Sequence, residues 1–202
     1  MNDRDARNLN PYFKARRLPV GQLHYPLPKQ RKLTTVEAEL DFGEREFLYH
    51  LPLLAGGGQI CNLGDGGSTT IMALSLVDHA LAGMIYTVDI SARHLRRNAE
   101  HRTGLGVDDR IEQIHAPTEQ AYEQLRARRF RLLFIDADHS YARCKKDVEL
   151  YSPLVLPDGL MGFHDVNQED VDQVIQELDP EWRLLFFVNR IKVFGRRPHL
   201  RT

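Results

Sequence analysis

The chain has 202 residues, 42% hydrophobic and 27% charged, a balance that suits one globular domain and excludes a disordered chain. A formal net charge of −1 excludes a molecule built as a whole to hold a polyanion. Two cysteines, Cys61 and Cys144, are too few for a disulfide framework and fit a reducing, cytoplasmic setting, and no run approaches the roughly 18 apolar residues of a membrane span.

Charge is unevenly spread. Residues 1–35 hold Arg4, Arg7, Lys14, Arg16, Arg17, Lys29, Arg31 and Lys32 against Asp3 and Asp5 only. They also hold Pro11, Pro19, Pro26 and Pro28 and no apolar period, which predicts an irregular basic arm. Such an arm suits a solvated tail over the core, a phosphate contact or a partner subunit, so a homodimer is compatible with it. The opening Met-Asn-Asp-Arg-Asp is acidic where a signal peptide is basic and then apolar.

From Val36 to residue 202 the pattern is that of one domain. Val36–Leu51 predicts a helix capped by Thr34 or Thr35 and stopped by Pro52 and Gly56-Gly57-Gly58. Gln59–Leu63 is a strand, Ser68 to about Leu81 a helix, Met84–Val88 a strand, and Ala92–Arg102 a basic helix. Arg110–Ile114 then reads as a strand, Thr118–Arg128 as a helix, Arg131–Ile135 as a strand, and Tyr141–Tyr151 as a helix. Gly159–Phe163 is the next strand and Val171–Leu178 the last helix. Arg183–Val188 and Ile191–Phe194 flank Asn189-Arg190 as a closing antiparallel pair, on a turn without glycine.

Strands alternating with helices predict a Rossmann-like, doubly wound α/β fold, its sheet mostly parallel and its ligand off the carboxyl ends of the strands. Polar residues gather at those ends: Gly64–Ser68, Asp89, His115, Asp136–His139 and His164-Asp165. The run Asn62-Leu63-Gly64-Asp65-Gly66-Gly67-Ser68-Thr69 is a glycine turn that lets backbone approach a ligand and points free helix amides at it. Asp89 ends the next strand roughly 25 residues beyond Gly64, near the roughly 20-residue spacing of a ribose-binding acid. The turn lacks the third glycine of the dinucleotide fingerprint, and Asp65 inside it would repel a pyrophosphate. A cofactor with a sulfonium and no phosphate, S-adenosylmethionine, fits better than NAD.

Ile60–Ala73 with Val88-Asp89, Leu133–Tyr141 (LFIDADHSY) and Leu156–Val166 (LPDGLMGFHDV) resemble the class I S-adenosylmethionine methyltransferases. Within them the branch of catechol, caffeoyl-CoA and macrolide-sugar O-methyltransferases is the most similar, from about Glu37 onward. The resemblance implies a seven-stranded sheet with an antiparallel last strand and a small hydroxylated acceptor. It also implies a cofactor lined by Asn62, Gly64, Asp65, Gly66 and Ser68, with Asp89 on the ribose, Ala116 near the adenine and Asp136 at the reacting end. The chain departs from the family at Asn62, often an acid there, and at His115, usually a small residue.

Asp136, Asp138, His139, His164 and Asp165 follow two neighbouring strands and would share one cleft. By resemblance Asp136, His164 and Asp165 occupy metal-ligand positions, with His164-Asp165 where the family has Asp-Asn. Magnesium prefers oxygen donors, so manganese or no metal are the alternatives. His139 stands where the family has a basic residue that deprotonates the acceptor, and an imidazole suits that task near neutrality. Asp138 doubles as a possible helix cap. The rival readings are an NAD-dependent oxidoreductase, which lacks its third glycine and a Tyr-x-x-x-Lys pair, and a non-catalytic cofactor or RNA module using the arm. Nucleic acid as acceptor has no motif in its favour.

Overall fold

The structure, a computed structural model, describes residues 40–196. The basic arm over 1–35 and the first residues of the predicted opening helix, 36–39, lie outside them. Helices α1 (Phe42–Ala55), α2 (Gly67–Asp78), α3 (Ala92–Arg102), α4 (Thr118–Leu125), α5 (Tyr141–Tyr151) and α6 (Glu169–Gln176) alternate with seven strands. These are β1 (Gly58–Leu63), β2 (Gly83–Asp89), β3 (Ile111–His115), β4 (Phe130–Ile135), β5 (Val155–Phe163), β6 (Trp182–Val188) and β7 (Ile191–Arg196). Their order is β3-β2-β1-β4-β5-β7-β6, parallel except that β7 runs antiparallel to both β5 and β6. This is the expected Rossmann-like, doubly wound fold. Among the described residues no helix is long and apolar enough to cross a membrane.

Burial explains why the strands read as apolar runs: Ile60, Cys61, Leu63, Leu132, Leu133, Phe134 and Phe163 are fully enclosed. A sheet covered on both faces has no solvent side to carry polar alternation. Helix α2 is so enclosed that Ile71, Met72, Leu74 and Leu76 are joined in the interior by Thr69, Thr70 and Ser75.

The boundaries differ where local chemistry overrides pattern. Helix α1 is capped by Asp41 in a capping box with Glu44, not by Thr34 or Thr35. It runs through Pro52 to Ala55 and is closed by Gly56 in the left-handed conformation, whose amide donates to Leu53 O at 3.0 Å. Pro52 therefore does not stop it. Strand β5 begins at Val155, earlier than Gly159, across a register shift against β4. Helix α4 ends at Leu125 rather than Arg128, and Asp108–Arg110 form a short 3₁₀ turn ahead of β3. The β6–β7 turn closes without glycine because Asn189 takes φ +52°, a conformation asparagine tolerates better than most residues.

The parallel register levels the strand ends. Leu63 pairs with both Val88 and Ile135, Asp89 with His115, and Ile135 with Phe163. The residues after β1, β2, β4 and β5 therefore emerge along one edge, with the order reversing between β1 and β4. That reversal is where such sheets open a ligand crevice.

Candidate functional site

The loop after β1 forms the floor of the crevice. Gly64 has φ +101°, and a Cβ built there would stand 2.1 Å from the carbonyl oxygen of Asp136. Only glycine lets the β1 and β4 ends come so close. Gly66, in contrast, has extended backbone, and a Cβ there would meet nothing within 4 Å. It caps α2 without any side-chain hydrogen bond, so the amides of the first turn have no side-chain cap.

Asn62 holds this loop from beneath. It is fully buried, and its Nδ2 donates to Gly64 O at 2.9 Å and to Thr69 Oγ1 at 2.7 Å. Asp65 points into protein. Its carboxylate forms a buried ion pair with Arg102 and accepts from Gln113 Nε2 at 2.7 Å, while its carbonyl accepts from Asn98 Nδ2 at 2.6 Å. With Arg102 neutralising it, Asp65 would not repel a pyrophosphate, and the charge argument drawn from the sequence lapses. The missing third glycine stands.

Asp89 closes β2 beside this loop. One oxygen accepts from the Asp65 amide at 3.3 Å and the other from the Ser91 amide at 2.7 Å. These backbone contacts aim the carboxylate across the loop. Ala116, nearly buried, donates its amide to Asp89 O at 3.2 Å and so lies alongside. Between them Ile90 exposes 70% of its surface, and its carbonyl meets the His115 ring at 3.1 Å. An exposed isoleucine next to a half-sheltered carboxylate offers an apolar face beside a hydroxyl acceptor. Ile90 was not picked out from the sequence, although a lone apolar residue after a strand-end acid is a readable sign.

The ends of β4 and β5 carry the charged cluster. Ser68 Oγ donates to Asp136 Oδ2 at 3.0 Å, which joins the glycine loop to it directly. His164 Nδ1 lies 3.0 Å from Asp136 Oδ1 and 3.4 Å from Asp165 Oδ2. His139 Nε2 lies 3.1 Å from the same Asp165 oxygen. Arg190, from the β6–β7 turn, donates to Asp165 Oδ1 at 2.7 Å. Behind His164 sits Glu44, whose Oε1 is 3.5 Å from Nε2. Sequence reasoning missed Glu44 and Arg190: the first read as an ordinary helix position and the second as a turn residue. Asp165 adopts φ +49°, a strained conformation held by these contacts.

The electrostatics follow from this crowding. Contact with Asp165 raises the His139 imidazole above its ordinary value, against an opposing effect of burial. Burial would lower His164, but Asp136 and Asp165 outweigh it and carry that imidazole up to about 10. The two histidines and Arg190 hold Asp165 well below the usual carboxylate range. Asp138 takes no part: its Oδ1 accepts from the Ser140 amide at 2.8 Å and shapes the entry to α5.

The donor atoms of Asp136, His139 and Asp165 all lie within 4.8 Å of one another. That set differs from the one expected from sequence, Asp136, His164 and Asp165. His164 is 6% exposed and is wedged between Asp136 and Glu44. His139 reaches the opening instead.

Comparison with known proteins supplies the family. Solved structures share the fold over almost the whole length. A Klebsiella pneumoniae protein assigned as an O-methyltransferase is 20% identical, with TM-score 0.66, covering 98% of this chain and 91% of its own. The O-methyltransferase of Bacillus cereus in complex with S-adenosylhomocysteine is 16% identical, with TM-score 0.61, covering 97% and 92%. The O-methyltransferase TomG of Streptomyces achromogenes, involved in tomaymycin synthesis and bound to S-adenosylmethionine, is 13% identical, with TM-score 0.64, covering 98% and 92%. No curated protein sequence matches the chain. A family model described as a methyltransferase domain matches residues 61–166, more than half of the chain and all of the strand ends from the glycine loop to Asp165, and the chain belongs to that methyltransferase family.

Proposed function

We propose that the chain transfers a methyl group from S-adenosylmethionine to an oxygen of a small hydroxylated molecule. The observation that carries this reading is the 3.0 Å hydrogen bond from Ser68 to Asp136. It puts the glycine loop and the imidazole–carboxylate cluster on one face of the strand ends, within reach of a single bound molecule. The neighbours from Bacillus cereus, in complex with S-adenosylhomocysteine, and Streptomyces achromogenes, in complex with S-adenosylmethionine, support the choice of cofactor.

The residues fit an adenosine. Open space over Gly66, uncapped α2 amides, a strand-end carboxylate at Asp89 and the exposed Ile90 face supply close approach, polar donors, a hydroxyl acceptor and an apolar wall. Bound there, S-adenosylmethionine supplies an electrophilic methyl group on a sulfonium. Gly64, Gly66 and Ser68 line it, Asn62 keeps the loop in shape from below, and Asp65 acts through its carbonyl and buried pair rather than by facing the ligand. Asp89 takes the ribose hydroxyls and Ala116 borders the base.

His139 removes the acceptor's proton. Asp165, 3.1 Å from its Nε2, stabilises the imidazolium that forms as the free ring nitrogen takes the proton and the oxygen advances. Asp136, tied to Ser68, orients the acceptor hydroxyl toward the glycine loop. Alignment of the attacking oxygen with the methyl carbon and the sulfur lowers the barrier by removing the entropy of bringing them together.

One observation favours a second reading. The convergence of Asp136, His139 and Asp165 is an oxygen-and-nitrogen set that suits manganese better than magnesium. An ion there would polarise the acceptor oxygen. His139 cannot be ligand and base at once. Transfer that survives exhaustive chelation selects the base; loss restored by manganese selects the ion.

The experiment is a transfer assay with methyl-labelled S-adenosylmethionine against catechols, simple phenols and sugar hydroxyls, products being read by mass spectrometry. His139→Ala is expected to bind S-adenosylhomocysteine normally and to lose turnover by about 100-fold or more. Equal turnover removes His139 as base, and binding of NAD in place of S-adenosylhomocysteine refutes the whole reading.

A further inference from the structure

Glu44 does more than cap a helix. Its capping-box duty uses one contact, the Asp41 amide on Oε2 at 3.1 Å. Yet the side chain is wholly buried, which a capping carboxylate at a helix start does not require. Its other contacts run inward. Arg190 donates through Nε to Oε1 at 2.9 Å and through a terminal nitrogen to Oε2 at 2.7 Å, and its amide donates to Oε1 at 3.3 Å. His164 Nε2 stands 3.5 Å from Oε1. Both of these basic side chains then touch the reaction centre: Arg190 meets Asp165 at 2.7 Å, and His164 meets Asp136 at 3.0 Å and, at 3.4 Å, Asp165 as well.

Two branches therefore leave one carboxylate, and acid alternates with base along each. The first runs Glu44, Arg190, Asp165, His139; the second runs Glu44, His164, Asp136 and ends on the Ser68 hydroxyl. Three carboxylates this close repel one another, and Arg190 and His164 hold them because they are interleaved between them. Without charge on Glu44, both basic groups can turn wholly toward Asp136 and Asp165 and re-aim them. The β6–β7 turn that carries Arg190 is held independently, since Asn189 Nδ2 donates to both oxygens of Asp41 at 2.8 Å.

We propose that Glu44 is a positioning residue for methyl transfer, which through Arg190 and His164 sets the orientation of Asp165 and Asp136 and hence of the His139 ring. This role rests on the reading of His139 and Asp136 as the reaction centre. The decisive variant is Glu44→Gln, because glutamine keeps the volume and the reach of the side chain but loses the charge and turns one of the two oxygens that accept from Arg190 into a donor. Asp41→Ala is the control: it removes the cap and the Asn189 clamp and leaves the hydrogen bonds of both branches in place, its carboxylate acting on Arg190 only through space.

With an acceptor from the transfer assay, Glu44→Gln in the full chain is expected to lower kcat by on the order of 10-fold or more, as loss of supporting groups around reacting ones does. KM for S-adenosylmethionine should stay within about 2-fold, and Asp41→Ala should cost less than about 3-fold in kcat. Wild-type turnover in Glu44→Gln, or an equal loss in Asp41→Ala, overturns the role. Should no acceptor be methylated even by the unaltered chain, the functional reading fails separately, and NMR of protein labelled at histidine Cε1 decides for Glu44. Signals assigned with His139→Gln and His164→Gln should both move in Glu44→Gln and neither in Asp41→Ala. A His139 signal that stays in place overturns the role.

Discussion

Two glycines of the β1–α2 loop, two positions apart, should fail in different ways when each becomes alanine. At Gly64 the backbone has φ +101° and the new Cβ would stand 2.1 Å from Asp136 O, so the β1 and β4 ends must separate by about 1 Å to reach ordinary contact. The disfavoured backbone costs about 1–3 kcal/mol and the forced separation about as much again. A total near 3 kcal/mol in a chain of this size lowers Tm by roughly 6–12 °C. Because the displaced atom belongs to Asp136, turnover should fall as well, a shift of about 1 Å in a reacting geometry being worth on the order of 100-fold. At Gly66 the backbone is extended and the new methyl meets nothing within 4 Å, so Gly66→Ala should melt like the unaltered protein. That methyl occupies the space assigned to the cofactor, and S-adenosylhomocysteine affinity should drop by about 10-fold or more. Calorimetric melting and titration of the two variants give both readouts. An unchanged Tm in Gly64→Ala refutes the close approach of β1 and β4; full affinity in Gly66→Ala refutes the placement of the ligand over the loop.

Other outcomes follow from the same structure. Asp89→Ala should fold normally and lose most S-adenosylhomocysteine affinity in calorimetry, and unchanged affinity counts against the ribose assignment. Arg102→Met leaves Asp65 buried without its partner and should cost about 3–5 kcal/mol by urea denaturation, since a lone buried charge is what such a cut produces; a loss below about 1 kcal/mol would show the pair to be dispensable. Asp147 is almost wholly enclosed, and burial lifts its carboxyl to about 6 from an ordinary 3.8. With its native pKa raised, the folded state holds the proton more tightly than the unfolded one, so stability should decline between about pH 4 and pH 6 and stay lower above. Asp147→Asn should therefore stabilise the protein at pH 8 by up to about 3 kcal/mol and by almost nothing at pH 4. An asparagine variant no more stable at pH 8 than the parent would contradict this.

The alternation of strands and helices was readable because the central strands β1, β2 and β4 are largely sealed on both faces, while polar residues gather just past the strand ends. Gly64, Ser68, Asp89, Asp136 and His139 could be singled out since their types are costly or unusual at strand ends. Asp65 misled because sequence separation hides Arg102, which neutralises it from 37 residues away through α3. Glu44 and Arg190 were invisible for the same reason: their meaning lies in a contact between the first turn of α1 and the last hairpin, 146 residues apart. His164 was legible as a polar strand end, but its neighbours alone decide that it points inward while His139 faces out. The start of α1 was misplaced because Thr34 and Thr35 are good caps in isolation, whereas Asp41 has Glu44 at the reciprocal position.

A crystal structure of the protein with S-adenosylhomocysteine tests the central claim most directly. The ribose is expected on Asp89, the chain over Gly64 and Gly66, and the sulfur directed at Asp136 and His139. A ligand whose sulfur turns away from those two side chains, or one that binds elsewhere on the sheet, would contradict it.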